Sequence, residues 1–384
     1  MKKISFLLYF FVCAVTASAQ TVFPFASKSS RDSVTVKLKE QIHQTIKLPL
    51  NDSTYQKWMG AFWAMEIMLY KPAGYEEKIS LQISSLPQFG PNFQRAFFEM
   101  LYTLYPTEFD AEVQSIVKHL KSEKVKAIAL EYLALSGKTS FIELSDKFLQ
   151  SDYYRHYQYI RSKAKLVVPS KIDFLDTSFF PSQTVLCSFQ STNRNIPGYL
   201  MIRLANGEFM KNEKGEELKF PQLARAISNL PFYLTNGNTP QGLFKITGVD
   251  TSTNNWIGPT TNLQMILPFE NKASDFFSTD TAYATFYKNL LGNKLQLYKG
   301  LWESYWAGKI GRTEIIAHGT TIDPLYYQTQ SYYPNTPSLG CLCSPEIWNE
   351  KGIRTFSSQA EWMKVILSLV LKPNYIIVAE VSDL

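Results

Sequence analysis

Histidine and cysteine are scarce in this chain, four of each in 384 residues. The metal and nucleophile chemistry open to it is correspondingly narrow. There is no glycine-rich phosphate loop, no His-Glu-x-x-His pair, no Gly-x-Ser-x-Gly elbow and no Cys-x-x-Cys. Those absences remove the signatures of nucleotide binding, zinc proteolysis, serine hydrolysis and thioredoxin-type exchange. No later apolar run approaches the ~20 residues that a bilayer core of ~30 Å demands; the longest, Val365 to Leu371, falls well short. Charge is modest, 19% of residues with a net +6, and lysine is interleaved with glutamate, as in Lys121-Ser122-Glu123-Lys124-Val125-Lys126. Such a pattern is a solvated face and not a nucleic-acid stripe, so neither a membrane span nor a nucleic-acid partner is expected. Apolar surface is what the chain has in quantity. Its 45% hydrophobic and 14% aromatic residues can offset chain entropy, which excludes a disordered or collagen-like polymer.

At this length two domains are favoured over one compact unit. The first residues read as a secretory signal: Lys2 and Lys3, the uncharged run Ile4 to Val15, then Ala17-Ser18-Ala19 as an A-x-A cleavage site. Residues 1–19 are therefore expected to be removed as the chain crosses the inner membrane, leaving it periplasmic or in the cell envelope. Val12 stands before Cys13 where a lipoprotein signal has a small residue, so Cys13 is read as a discarded signal cysteine. Three cysteines remain, and an odd number in an oxidising compartment leaves at least one thiol unpaired within the chain.

Residues 20–165 read as an α-helical array. Phe109, Val113, Ile116 and Leu120 recur at helical spacing with Thr107 as cap, and Tyr55 to Tyr70 is apolar nearly all round, as a helix buried among others is. Further helices are expected near 75–86, 92–104, 123–136 and 140–149, an arrangement resembling a two-helix solenoid. His43, His119 and His156 have no acidic or thiol partner at ligand spacing and are read as surface or core histidines. The aperiodic, proline-bearing stretch 166–182 reads as a linker. In residues 183–384 the texture becomes mostly β: Val185 to Phe189, Tyr199 to Leu204, Gly242 to Ile246, Leu263 to Leu267 and a last strand Tyr375 to Val381. One helix there opens with a capping box at Ser358-Gln359-Ala360-Glu361. The expected fold class is α+β multidomain, a solenoid-like helical array followed by a β-rich domain.

Within the second half one pairing carries chemistry. His318 is its only histidine, at the end of the run Thr313 to Ala317 and ahead of Gly319-Thr320, and Cys341 follows in Thr336-Pro337-Ser338-Leu339-Gly340-Cys341-Leu342-Cys343. A thiol with a pKa of ~8.5 is mostly protonated at neutral pH; an imidazole within reach draws off the proton and gives a thiolate that attacks a carbonyl carbon. Gly340 lets the backbone pass close to a substrate, and amides of the same turn can face the developing oxyanion, at about 2.7–4 kcal/mol of barrier per donor.

These segments resemble the L,D-transpeptidase (YkuD-type) catalytic domain family, with its His-Gly-Thr-like segment and its later Ser-His-Gly-Cys-like segment. Thr239-Pro240-Gln241-Gly242-Leu243-Phe244-Lys245-Ile246 also fits that family's Thr-Pro-x-Gly-x-Phe-x-Ile element position for position. The resemblance covers roughly residues 183–384. It implies that Cys341 is the acyl-accepting nucleophile, His318 its base, the Gly319 backbone an orienting group, and the amides of Leu339, Gly340 and Cys341 the oxyanion hole. It implies action on peptidoglycan stem peptides, hence a part in cell-wall biogenesis and cell shape, with no cofactor. An amine acceptor makes a transpeptidase; water makes an L,D-carboxypeptidase. Leu339 stands where the family has a second histidine, and Cys343 where it has arginine or asparagine. Arg312 and Arg354 are the nearest basic substitutes for reading a substrate carboxylate. The tyrosine-rich segment with Tyr326, Tyr327, Tyr332, Tyr333 and Pro334 either covers the substrate as a lid, with Tyr332 and Tyr333 touching it, or packs the loop down. The helical half is then a docking or gating module for peptidoglycan or an envelope protein.

Other readings stay open on the residues alone. Leu339 and Cys343 also suit an envelope-binding module that kept the fold and lost the chemistry. His318, Cys341 and Cys343 are three potential zinc ligands whose fourth partner would have to be the distant Cys187. A Cys341–Cys343 disulfide would close a small, strained ring. Cys187 itself reads as a buried strand cysteine.

Overall fold

The computed structural model describes residues 21–138, 142–277 and 282–384; the expected signal, with Cys13, lies outside them. Helices occupy the first part. α1 (Lys28–Thr45), α2 (Tyr55–Ile67), α3 (Glu76–Ser85), α4 (Pro91–Leu104), α5 (Asp110–Ile116), α6 (Glu123–Leu135), α7 (Asp146–Leu149) and α8 (Asp152–Lys163) follow in order. Their starts obey local chemistry. Ser27, Ser122, Ser145 and Ser151 each accept from the amide three residues on, at the heads of α1, α6, α7 and α8. α4 begins on Pro91, whose missing N–H is no loss in a first turn. α2, α4, α6 and α8 lie side by side in chain order, with α3 against α5 beside them. The stretch Phe109 to Leu120 departs from its expected single helix. α5 starts only at Asp110 and gives way to a 3-10 turn at Val117–His119, and its N-cap residue is Phe109, with no side-chain cap, instead of Thr107.

The second part is built on an eight-stranded sheet. Its members are β1 (Val185–Gln190), β2 (Gly198–Arg203), β3 (Phe220–Gln222), β4 (Gly242–Asp250), β5 (Asn262–Ile266), β6 (Ala317–His318), β7 (Leu342–Cys343) and, after a separate β8–β9 hairpin (Glu346–Trp348, Arg354–Ser357), β10 (Tyr375–Glu380). The order is β3-β2-β1-β10-β4-β5-β6-β7, with β1/β10 and β6/β7 parallel. Just past β3, Leu223 exchanges both backbone hydrogen bonds with Cys343, at 2.8 and 2.9 Å. The two ends therefore meet, and the sheet is barrel-like.

Alternation along the strands sorts their side chains into two apolar layers. Leu186, Leu200, Ile202, Phe244, Met265, Ile376 and Val378 join one core with Trp362 and Ile366 of α12 (Ser358–Ser368) and with Trp58, Phe62 and Phe97 of the helical part. Val185, Cys187, Phe189, Met201, Leu243 and Ile377 face the other way. They pack on α9 (Ala273–Phe277) and α10 (Tyr283–Leu295). These helices, with α11 (Glu303–Lys309), make the second part mixed α and β where mostly β was expected. The stretch 166–182 is no free linker: it carries a 3-10 turn at Lys171–Leu175, and Phe174, Phe179 and Phe180 are buried in the second layer. α12 is capped one residue earlier than expected, Ser357 Oγ accepting from Ala360 N, while Ser358 Oγ donates to Pro221 O. The first described residues lie on the β8–β9 hairpin, Phe23 N donating to Gly352 O and Arg354 N to Thr21 O. Among the described residues no helix is long and apolar enough to cross a membrane.

Candidate active site

β6 and β7 set the site. In their parallel register Ala317 faces Leu342 and His318 faces Cys343, so the turn that enters β7 carries Cys341 to the neighbourhood of the His318 imidazole. That turn is held from several sides. Gly340 sits at φ +110°, and a Cβ there would run into the Arg312 guanidinium and Gly237 O, so only glycine fits. Thr239 Oγ1 donates to Gly340 O at 2.9 Å, which gives the threonine of the Thr-Pro-Gln-Gly segment a physical job. Ser338 Oγ donates to Cys341 O at 2.8 Å and accepts from Gly340 N at 3.1 Å. The Gly340 amide is therefore engaged. Of the three amides expected to form an oxyanion hole, those of Leu339 and Cys341 are the ones with no acceptor among the described residues.

His318 is buried, and its Nδ1 meets Gly319 O at 2.5 Å. A carbonyl accepts only, so Nδ1 carries the proton and Nε2 presents its lone pair. Beneath this segment lies Glu346, which the sequence offered no reason to single out. Its carboxylate accepts from Thr320 N at 3.0 Å, from Thr260 Oγ1 and from Ser357 Oγ, and a side chain on Gly319 would collide with it. Thr320 is pinned further by Thr336 Oγ1 at 3.0 Å and by the Trp348 indole, which donates to Thr320 O at 2.9 Å. The Gly319 carbonyl that orients His318 is thus fixed through its neighbours.

Burial lowers the His318 pKa below its ordinary value, the Gly319 carbonyl opposing, so the imidazole is neutral at pH 7. Burial also raises the Cys341 thiol, against the Ile316 amide and the Arg312 charge, both of which favour the thiolate. No hydrogen bond joins the two side chains: Cys341 Sγ donates instead to Glu314 O at 3.7 Å. Glu314 holds a positive φ of 63°, unusual for a residue with a Cβ, and its amide is tied to Glu270 at 3.0 Å. Arg312 is buried, donating to the carbonyls of Phe232, Gly237 and Asn238, and burial brings its pKa down to about 10.

Cys341, His318, Arg312 and Leu339 all line one cavity of about 390 Å³. Its other walls include Trp63 and Ile67 of α2, Trp256 and Ile257, so the helical part closes one side. Trp63 and Trp256 meet edge to face at 5.4 Å. The remaining sequence candidates lie elsewhere. Arg354 is outside this cavity, 3.7 Å from Glu346 and donating to Thr260 Oγ1 at 2.6 Å. Tyr332 is buried under the Arg225 guanidinium at 4.6 Å, and Tyr333 points outward. Neither lines this cavity. The segment is packed down, Tyr326 bonded to Thr35 of α1 at 2.7 Å and Tyr327 to Ile67 O at 2.8 Å.

Cys187, Cys341 and Cys343 are all free thiols. Burial holds Cys187 and Cys343 up at about 12, and Cys343 Sγ faces Thr336 Oγ1 at 3.8 Å. Among the described residues no three His, Cys, Asp or Glu side chains gather as metal ligands, which removes the support for the zinc reading. His43 bonds Tyr70 at 3.0 Å, and His156 is packed among Phe232, Tyr233 and Trp306. No protein-family model, no curated protein and no solved structure matches the chain.

Proposed function

We propose that the protein is a secreted, cell-envelope cysteine acyltransferase of the L,D-transpeptidase type, acting on peptidoglycan stem peptides. The observation that carries this reading is the shared cavity: Cys341, a neutral His318 with Nε2 free, and Arg312 open on the same space. In this scheme His318 Nε2 takes the Cys341 proton as Sγ bonds to the carbonyl carbon between an L- and a D-centre. The oxyanion is met by the amides of Leu339 and Cys341. The C–N bond then breaks, the imidazolium protonates the departing amine, and a thioester remains on Cys341. An incoming amine gives its proton to His318, forms the new amide and releases the thiolate, which recovers the proton; water in its place gives a carboxypeptidase. Arg312 supplies the positive charge that Cys343 cannot, beside the nucleophile loop.

The test is acylation by a carbapenem, followed by mass spectrometry of the intact processed chain. The expected result is one adduct, mapped to Cys341, absent in Cys341→Ala and formed roughly 100-fold more slowly in His318→Gln. A reduced, folded protein that takes up no adduct overturns the reading. It would favour the non-catalytic envelope-binding module, for which the bond from Cys341 to Glu314 O rather than to His318 is the supporting observation.

A further inference from the structure

Thr235 borders two cavities, the one that holds Cys341 and a second of about 560 Å³ on the helical part. Arg95, Lys121, Lys124 and Lys147 line the second, and the first turns of α4 and α6 open at its rim. In the sequence these lysines look like a solvated, charge-interleaved face. The fold gathers them round one recess instead. Glu99 lies 3.3 Å from Arg95 and Glu123 3.8 Å from Lys147, but among the described residues neither Lys121 nor Lys124 has an acidic partner within ion-pair distance. Lys124 Nζ donates to Thr235 Oγ1 at 3.0 Å. Its pKa is lowered by burial and by the like charges of Arg95 and Arg312, and Arg312 is the cation beside Cys341. The Glu99 carboxylate, which lies against Arg95, opposes that shift. At the rim the amides of Asn92, Glu123 and Lys124 find no acceptor among the described residues, and both helix starts add partial positive charge.

We propose that this recess is an anion-binding subsite that takes a carboxylate of a peptide whose reacting end lies at Cys341. The proposal rests on the acyl-transfer reading for its choice of peptide, because the two cavities share Thr235. It assigns the helical part a direct role in substrate selection. The recess is local and borders the cavity of Cys341 at Thr235, so it suits one acidic side chain and not a polyanion track.

Binding is measured by calorimetry on full-length processed Cys341→Ala protein, so that no chemistry is required. The probes are N-acetyl-L-Ala-D-Glu-L-Lys-D-Ala and its D-Gln counterpart, with inorganic phosphate alone as a third. At ~50 mM salt the D-Glu peptide is expected to bind about tenfold more tightly, and the gap to shrink to about twofold at ~500 mM, where screening is severe. Lys121→Gln/Lys124→Gln is expected to close the gap by weakening the D-Glu peptide while the D-Gln peptide binds as before, which also shows that the variant is folded. Lys364→Gln/Lys372→Gln, on α12 and beyond it, is expected to keep the gap. Equal affinities for the two peptides, a gap that survives the double variant, or phosphate binding without any preference between the peptides would overturn the proposal. A carbapenem adduct without a gap removes the subsite alone. A gap without an adduct removes the acyl-transfer reading alone.

Discussion

Cys341 and His318 are each pushed toward the neutral form, the thiol by burial upward and the imidazole by burial downward. An uncharged pair suits a site that makes its ion pair only when a carbonyl arrives. Two consequences follow at this scale. Protonation of His318 removes the base, and because its folded pKa is depressed, the acid limb of the acylation rate is expected below pH ~6.5, the ordinary histidine value. Arg312→Gln takes away a charge that favours the thiolate. Iodoacetamide alkylation of Cys341 at pH 7.5 is therefore expected to slow by roughly tenfold per pH unit of added pKa, while Arg312→Lys stays close to wild type. An unchanged rate in Arg312→Gln would show that the guanidinium only braces the loop. His318 and Cys341 of the candidate site could be singled out from the sequence, since a lone histidine and a Gly-Cys turn leave few choices, and the fold brings both to one cavity. Glu346 was not legible. Nothing near Pro345 marks it, and its role exists only because the hairpin after β7 folds back under Gly319.

Elements with a strong apolar period were legible to within a few residues, as at α2, α4, α6, β1, β2 and β10. The failures have physical causes. α8 carries much of its packed face on tyrosines, which read as polar; α9 and α11 are short, α10 is broken at Gly292, and α9 and α10 are buried by the second face of the sheet. The tyrosine segment after Thr320 left two readings open, a cover for the substrate or a packed-down loop, and the fold uses Tyr326 and Tyr327 to fasten it to α1 and α2. Tyr327→Phe removes the bond to Ile67 O and is expected to cost about 1 kcal/mol of stability. Tyr333→Ala, at an outward position, is expected to stay within about 0.5 kcal/mol. Thermal unfolding checks both, and a larger loss in Tyr333→Ala than in Tyr327→Phe would show that the Tyr333 ring, not the Tyr327 hydroxyl, fastens the segment.

At the scale of the whole molecule the two parts share a core and are also joined by buried polar groups. His156 of α8 lies among Phe232, Tyr233 and Trp306, and burial depresses its pKa to about 4. A depressed folded pKa means that the unfolded chain takes up the proton first. The stability is present above pH ~6.5 and is lost as the pH falls toward ~4, by up to about 3 kcal/mol. Glu131, bonded to Tyr233 at 2.7 Å and raised by burial to about 7, works in the opposite sense, losing its contribution as the pH rises through that value. His156→Phe is expected to narrow its stability deficit against wild type as the pH is lowered from 7 to 4.5 in thermal unfolding. A constant deficit would show that His156 does not titrate on unfolding. The division into a helical and a sheet-bearing part was visible in composition. Their fusion was not, because a contact between Trp63 and Trp256 leaves no trace in local pattern.

That contact has a consequence for how the chain changes over time. One side of the cavity that Cys341 and His318 line is encoded early in the chain and the other side late. A change of ring size at position 63 alters the space that position 256 must fill, and the reverse holds equally. Selection on either part is therefore selection on both. Recombination that exchanged one part for a diverged copy would bring together walls shaped for different partners, so the two are expected to travel as a single heritable unit.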